Sequence, residues 1–235
     1  MREKLFEITN LRAGYGKEKQ VLKGVTLSLN EGEVVGLIGL NGAGKTTLMK
    51  VISGLLTGYE AETFRLHGKA VKPRDKAFKF SRYTVFAEED SFQYFTFPEY
   101  LSYVCKAYKK PVPDVTELVK RFHFEEFTGT LLKDLSTGNK KKAYLIAAFA
   151  VKPPILLLDE PVNGLDFTST EELYKLISEY RAYGTILFSS HILESITLTS
   201  DRVLVLENGV IGQEFERDGI DAKKIREALQ EEDNV

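Results

Sequence analysis

The segment from Gly39 to Thr46, Gly-Leu-Asn-Gly-Ala-Gly-Lys-Thr, restricts the possible folds of this chain more than any other feature. It follows the apolar run Val34–Ile38, which predicts a buried strand, and it precedes residues 47–52, which predict a helix ending near Gly54. Glycines let the backbone wrap an anion with its amide groups pointing inward, and the helix adds the positive end of its dipole. The segment therefore predicts a phosphate-binding loop between a strand and a helix of an α/β protein.

The pattern of this loop, G-x-x-x-x-G-K-[ST], is typical of loops that hold nucleotide phosphates. Lys45 is expected to bridge the β- and γ-phosphates during catalysis, and Thr46 is expected to ligate Mg²⁺. The residues of the loop predicted to bind nucleotide are Asn41, Gly42, Gly44, Lys45, Thr46 and Thr47. A glycine-rich turn without a ligand is the alternative, and a chance match in a chain of 235 residues has a probability on the order of 1%.

A second apolar segment, residues 155–158, predicts a buried strand that ends in Asp159 and Glu160. Because neighbouring residues of a strand point to opposite sides, one carboxylate can face a metal ion while the other faces the attacking water. Asp159 is the expected Mg²⁺ partner, through water, and Glu160 is the expected general base or the residue that orients the water. An ordinary strand end capped by acids is the alternative, and the phosphate-binding loop makes it a minor one.

The middle of the chain, residues 95–150, predicts helices where both flanking parts predict strands. Pro98 suits the first residue of a helix, and residues 118–122 and 143–150 have the apolar spacing of two more helices. In the last third, Asn208-Gly209 between two apolar runs predicts a hairpin.

Charge and hydropathy exclude several classes of protein. The net charge of -2 gives no bulk attraction to nucleic acid or to anionic lipid. Residues 1–10 lack the continuous apolar core of a signal peptide, and no apolar run approaches the ~20 residues that span a bilayer. The single cysteine, Cys105, leaves no intrachain disulfide and is compatible with a reducing compartment. We therefore expect no nucleic-acid partner and no direct membrane insertion.

The segment Leu135-Ser-Thr-Gly-Asn139 lies between the loop and the carboxylates and is followed by three lysines and an apolar helix. It resembles the Leu-Ser-Gly-Gly-Gln signature of ATP-binding-cassette (ABC) ATPases. Asn163-Gly-Leu-Asp166 resembles the D-loop of that family, Ser190-His191 resembles its H-loop, and Tyr15 matches the aromatic residue that stacks on adenine. The order and spacing of these motifs agree with the family over nearly the whole chain.

The resemblance implies a fold: a mixed α/β sheet with flanking helices, an antiparallel β subdomain and an inserted helical subdomain, all in one cassette domain. The expected α/β core with its β subdomain spans residues 1–94 and 151–218, and the helical subdomain spans residues 95–150. Residues 219–235 are expected to form a tail containing a short surface helix that frays.

The resemblance also implies an active site shared by two chains, because ABC cassettes pair head to tail. ATP held by the loop of one cassette is covered by the signature of the other. Here Ser136 and the Gly138 amide would reach the γ-phosphate across the dimer, and Asp166 would contact the opposing subunit. His191 would hold the γ-phosphate and the water, and closure would exclude solvent. The implied ligands are ATP and Mg²⁺.

Three positions depart from the commonest family pattern. Thr137 replaces a signature glycine and Asn139 replaces the glutamine, while the expected phosphate contacts remain. Glu88 stands where the family has a glutamine that contacts Mg²⁺, and a carboxylate can also ligate that ion. Glu89 is the alternative residue for this position.

Aromatic residues are concentrated in the middle of the chain: 11 of the 26 fall between Phe78 and Tyr108. In the family this region receives a helix of the membrane subunit, and an aromatic groove suits helix docking. The resemblance therefore implies an integral-membrane permease as a partner, and a location at the cytoplasmic face of the membrane. The alternative is that these rings only pack the helical subdomain.

The predicted function is an ATP-hydrolysing transporter subunit, and Glu88 with the Ser-Thr-Gly signature favours export. Non-transport cassettes are one alternative, although they usually carry two cassettes or a long coiled-coil insertion. Another phosphate-loop enzyme, such as a kinase or GTPase, is disfavoured by the signature and by His191. Binding without turnover is disfavoured by Glu160 and His191. The sequence does not indicate the cargo, or whether the two cassettes are identical.

Overall fold

The computed structural model describes residues 3–16 and 20–230, which form an α/β fold of two sheets with flanking helices. The strands are β1 (Lys4–Gly14), β2 (Gln20–Asn30), β3 (Val34–Ile38), β4 (Tyr59–Glu60), β5 (Thr63–Leu66), β6 (Lys69–Ala70), β7 (Arg82–Val85), β8 (Ile155–Asp159), β9 (Thr185–Ser190), β10 (Arg202–Glu207) and β11 (Val210–Glu216). The helices are α1 (Lys45–Ser53), α2 (Lys76–Ser81), α3 (Phe97–Ala107), α4 (Thr116–Arg121), α5 (Thr137–Val151), α6 (Phe167–Tyr180), α7 (Leu193–Thr199) and α8 (Ala222–Gln230).

The larger sheet has the strand order β11-β10-β3-β9-β8-β7. Its neighbouring strands are parallel except β10 and β11, which form an antiparallel hairpin. The turn residues Asn208 and Gly209 have φ values of 47° and 83°, the left-handed conformation that Asn-Gly adopts readily. The predicted hairpin is confirmed.

The smaller sheet is antiparallel, with the order β2-β1-β5-β6 and β4 paired to β1. Together with the mixed larger sheet, its flanking helices and the helices between β7 and β8, it confirms the predicted fold class. The exact boundaries of the subdomains stay a prediction.

Neighbouring residues of β3 belong to different hydrophobic cores. Val34 and Ile38 lie in the core formed with α3, α5 and α6, whereas Val35 and Leu37 lie in the core formed with β1, β2 and α1. Because alternate side chains of a strand point to opposite faces, the larger sheet is buried on both sides. The strands are fixed from both faces, so their ends have defined positions.

Between β7 and β8 the chain forms α3, α4 and α5. Helix α3 begins at Phe97, one position before the predicted Pro98, and a capping box of Thr96 and Glu99 fixes this start. Helix α5 begins at Thr137, well before the apolar run that predicted it, because the Ser136 hydroxyl accepts a hydrogen bond from the Asn139 amide at 3.2 Å. The apolar pattern alone marks only the later part of α5, because the first turns contain lysines.

The tail contains the predicted short helix, α8, which is docked on the fold through one side, and its fraying stays a prediction. In α8, Ile225 and Ala228 are 0% and 3% exposed, and the helix packs against α7 and β10. Residues 231–235 of the predicted tail lie outside the described residues. In the part of the chain that the structure describes, we find no helix with the length and apolarity needed to cross a membrane.

A buried ion pair joins the two sheets. Arg202, at the start of β10, donates from Nε to Glu33 Oε1 at 2.8 Å and also donates to the carbonyl of Ser28 in β2. The side chains of Arg202 and Glu33 are only 9% and 7% exposed. A charge buried to this degree requires its partner.

We expect Arg202→Met to lower the free energy of unfolding by about 3–5 kcal/mol, because Glu33 would keep a buried charge without its cation. The control is Lys4→Met, which removes the exposed Lys4–Glu7 pair (3.3 Å) and should cost less than about 1 kcal/mol. Urea unfolding of both variants measures the difference. Equal losses would contradict this account of the pair.

Candidate nucleotide-binding site

The candidate site lies where the carboxyl ends of β3, β9 and β8 meet at one edge of the larger sheet. The glycine loop and α1 follow β3, Glu160 follows β8, and His191 follows β9. Groups from three distant parts of the sequence are therefore brought together, as expected for the strand ends of an open α/β sheet.

Lys45 points into the glycine loop. Its Nζ donates to the Gly39 carbonyl at 2.6 Å and lies 3.6 Å from Glu160 Oε1. The residue is only 6% exposed. The ammonium group thus faces the concave side of the loop, with a carboxylate as its nearest counter-charge.

The rest of the loop surrounds this cation. Asn41 and Gly42 are exposed at its rim, and so is Thr46 at the start of α1, while the Thr47 side chain is buried beneath. Gly44 caps α1 with a φ of 115°, and a Cβ there would lie 2.7 Å from Leu22 Cδ2. Only glycine fits this position without strain.

Asp159 is completely buried at the end of β8. The Thr46 hydroxyl donates to its Oδ2 at 2.9 Å, and the Ser189 hydroxyl donates to its Oδ1 at 2.6 Å. Ser189 also accepts a hydrogen bond from the Glu160 amide at 3.0 Å. Sequence reasoning missed Ser189, whose signal was a polar residue directly after the apolar run 186–188 of β9.

Glu160 lies beyond the end of β8 with a φ of 48°, in the left-handed region. Because β8 ends at Asp159, the expected alternation of a strand does not extend to Glu160. The two carboxylates nevertheless have different partners, since that of Glu160 lies beside Lys45 and His191. Glu160 Oε2 lies 2.8 Å from His191 Nδ1, and the side chains are 11% and 50% exposed. A strained backbone at this residue is typical of functional sites.

The donor set beside Asp159 fits Mg²⁺. Thr46 and Asp159 place a hydroxyl and a carboxylate oxygen side by side, and Mg²⁺ commonly binds one or two carboxylates together with phosphates and water. Among the described residues there is no group of three or more acidic, histidine or cysteine side chains that could hold a metal ion alone. The third expected ligand, Glu88, is exposed, and its carboxylate makes no hydrogen bond or ion pair with any described residue.

The signature segment forms a second group of predicted site residues. Ser136 is exposed at the N-terminus of α5. Gly138 packs directly on the loop after β8, since a Cβ there would lie 2.4 Å from the Gly164 carbonyl oxygen. The structure thus joins the signature to the 163–166 loop of the same chain.

Asp166 strengthens that connection. Its Oδ1 accepts from the Ser169 amide at 2.8 Å, and its Oδ2 lies 2.7 Å from Lys142 Nζ. The hydrogen bond with Lys142 holds the pKa of this carboxyl well below its usual range. The sequence alone assigns Lys142 no role, because the side chain of a lysine in a helix is usually solvated.

Tyr15 lies beside α1, 46% exposed, with Lys50 Nζ 5.8 Å from the centre of its ring. Its contact with adenine stays a prediction, as do the roles of the other site residues.

Comparisons with known proteins agree with this geometry. A family model described as ABC transporter matches residues 22–163. AlbC of Bacillus subtilis (strain 168), named as an ABC transporter ATP-binding protein, is 34% identical over 216 residues, which cover 87% of this chain and 88% of AlbC. The sulfate/thiosulfate import ATP-binding protein CysA of Escherichia coli (strain K12) is 33% identical over 222 residues, which cover 88% of this chain but 59% of CysA.

Solved structures show the same fold. The ATP-binding subunit of an ABC transporter superposes with a TM-score of 0.82 at 28% identity, covering 95% of this chain and 92% of that one. The cassette MJ0796, solved as a dimer with ADP and Pi, superposes with a TM-score of 0.81 over 91% of this chain and 99% of its own. At 21% identity, that likeness concerns the fold alone.

We expect Gly138→Ala to lower the free energy of unfolding by about 1–3 kcal/mol, because the added methyl group overlaps the Gly164 carbonyl. The matched control is Gly129→Ala, where a Cβ meets no atom within 4 Å. Chemical unfolding of both variants compares them. A loss no larger at Gly138 than at Gly129 would refute the close contact.

Proposed function

This chain belongs to the ATP-binding subunits of ABC transporters, and from that premise we propose that two cassettes enclose ATP head to tail and drive a membrane permease. Its activity as an ATPase follows from the family. The observation that carries the proposed mechanism is the cluster of Lys45, Glu160 and His191 beside the Thr46–Asp159 pair.

Within one chain, the proposed roles follow from the contacts. The loop amides and Lys45 bind the triphosphate, and Lys45 leaves Glu160 to do so. Thr46 and Asp159 are the residues that would hold Mg²⁺, which supplies positive charge at the phosphate oxygens. Glu160 orients the attacking water and accepts its proton. His191 holds the Glu160 carboxylate in place, in addition to the predicted contact with the γ-phosphate.

The second half of each site comes from the other cassette. Ser136 is exposed at the N-terminus of α5, where free backbone N–H groups and the helix dipole favour an anion. Phe167, directly after Asp166, is 77% exposed. A large apolar side chain beside this loop supports an interface on the same face of the molecule.

A patch of four aromatic residues supports docking of a permease helix: Phe92, Tyr94, Phe95 and Tyr103. Tyr94 and Tyr103 are 74% and 51% exposed. The ring of Phe92 lies 5.5 Å from that of Phe95 and 4.9 Å from that of Tyr103. Other rings of the region, such as Tyr100, pack the interior. A permease helix bound here would hold the chain at the cytoplasmic face of the membrane.

We propose export as the direction of transport, on the grounds of Glu88 and the Ser-Thr-Gly form of the signature. Relatedness alone does not distinguish the directions, since CysA is named as an import protein. The identity of the cargo depends on the permease.

Glu160→Gln should reduce the rate of ATP hydrolysis by about 10²–10⁴-fold, because the amide cannot accept a proton from water. ATP binding should persist, so a stable ATP-bound dimer should accumulate. Phosphate release and size-exclusion chromatography with ATP measure the two effects. Glu171→Gln, on the exposed face of α6, removes the same charge and should hydrolyse ATP normally. Unchanged turnover of Glu160→Gln would remove Glu160 from the role of base.

Mixing two inactive variants tests whether sites are shared. Lys45→Ala disables the loop, and Ser136→Glu places a negative charge against the facing phosphate. In an equal mixture of the two variants, half of the dimers contain one subunit of each variant. Each of these dimers has one intact site out of two, so about one quarter of the wild-type activity should return. Each variant alone is the control. No recovery in a mixture whose subunits exchange would exclude sites shared between identical cassettes.

A further inference from the structure

Lys141 is buried on α5 and points at the segment that follows β7. Its Nζ donates to the carbonyl oxygens of Phe86 and Ala87 at 2.7 and 2.8 Å. The residue is only 4% exposed. Its amine therefore binds main-chain atoms of a segment that lies outside any helix or strand.

A second contact from the same face of α5 holds the other end of this segment. Tyr144, one turn after Lys141, donates its hydroxyl hydrogen to the Ser91 carbonyl at 2.6 Å. Tyr144 is 2% exposed. The segment 86–91, which contains Glu88, is thus attached to α5 at both ends.

Because Lys141 is buried, the hydrogen bonds of its amine are costly to lose. Burial lowers the pKa of Lys141 to about 8, although the charges of Asp159, Glu89 and Glu160 oppose the decrease. If the segment moved away from α5, this ammonium would lose both of its carbonyl acceptors. The free-energy cost of losing these hydrogen bonds holds the segment against α5.

We propose that Lys141 is a positioning residue for ATP hydrolysis, which fixes the segment 86–91 to α5 and thereby fixes the position of Glu88. The part of this proposal that concerns Glu88 rests on the proposed function. Lys141 itself acts through the segment rather than on the nucleotide.

The neighbouring Lys140 provides a matched control. Its Nζ lies 3.2 Å from Asp90 of the same segment, but the Asp90 side chain is 74% exposed. An ion pair this open to solvent contributes little. Lys140→Met and Lys141→Met remove the same charge one residue apart, from an exposed contact and from a buried one.

The test combines kinetics with proteolysis of the full chain. Lys141→Met should lower kcat for ATP about 10–100-fold by displacing the segment, while KM for ATP stays within about twofold. A Glu-specific protease should cleave after Glu88 or Glu89 at least about tenfold faster, because the segment detaches from α5 while the helix remains folded. Lys140→Met should match the wild type in both measurements. Lys141→Gln keeps one amide donor group, so its kcat and its cleavage rate should lie between those of Lys141→Met and Lys140→Met.

The proposal is overturned if Lys141→Met retains the kcat of Lys140→Met. It is also overturned if its activity falls without faster cleavage at 88–89, or if cleavage rises equally along the chain, because the loss would then be general unfolding. Glu88→Ala separates this proposal from the proposed function. An unaltered Mg²⁺ requirement in that variant would remove Glu88 from the metal site, whereas the cleavage of Lys141→Met would still decide how the segment is held.

Discussion

The hydroxyl of Ser189 donates to Asp159 and accepts from the amide of Glu160, so one buried side chain of β9 fixes both residues at the end of β8. A fully buried carboxylate is stable only when its oxygens have partners, and Asp159 receives one from Ser189 and one from Thr46. The neighbouring Glu160 can then leave the strand with its backbone in the left-handed region. The positions of the glycine loop and the two acids therefore depend on hydrogen bonds that link the end of β8 to β9 and to α1.

Much of this arrangement could be predicted from the sequence, because its determinants are local. A glycine loop between an apolar strand and a helix specifies its own backbone, and the ends of parallel strands meet at one edge of a sheet. These two rules bring Lys45, Asp159, Glu160 and His191 together without knowledge of the rest. The Asn208-Gly209 hairpin was equally local, since the two residue types specify the turn.

The remaining features depend on contacts between distant segments, for which the sequence carries little signal. The lysines of α5 have the composition of a solvated helix face, yet Lys141 and Lys142 are 4% and 5% exposed and bind two different loops. Gly138 suggested only a contact with phosphate, whereas the structure also requires its missing side chain for the approach of Gly164. These groups are buried by tertiary contacts of α5, so the sequence alone does not indicate their burial.

The contact between Lys45 and Glu160 has a consequence for recognition. At 3.6 Å the two charges already compensate each other in a site that is mostly removed from water. A polyanion that binds must therefore displace Glu160 from Lys45. The net gain in free energy is then the attraction of Lys45 to the polyanion minus its attraction to Glu160. Small anions such as inorganic phosphate gain little from this exchange, since they reach few of the surrounding amides. Under the proposed function, a longer phosphate chain would contact the whole loop, so selectivity for it would arise from competition with Glu160 as well as from shape.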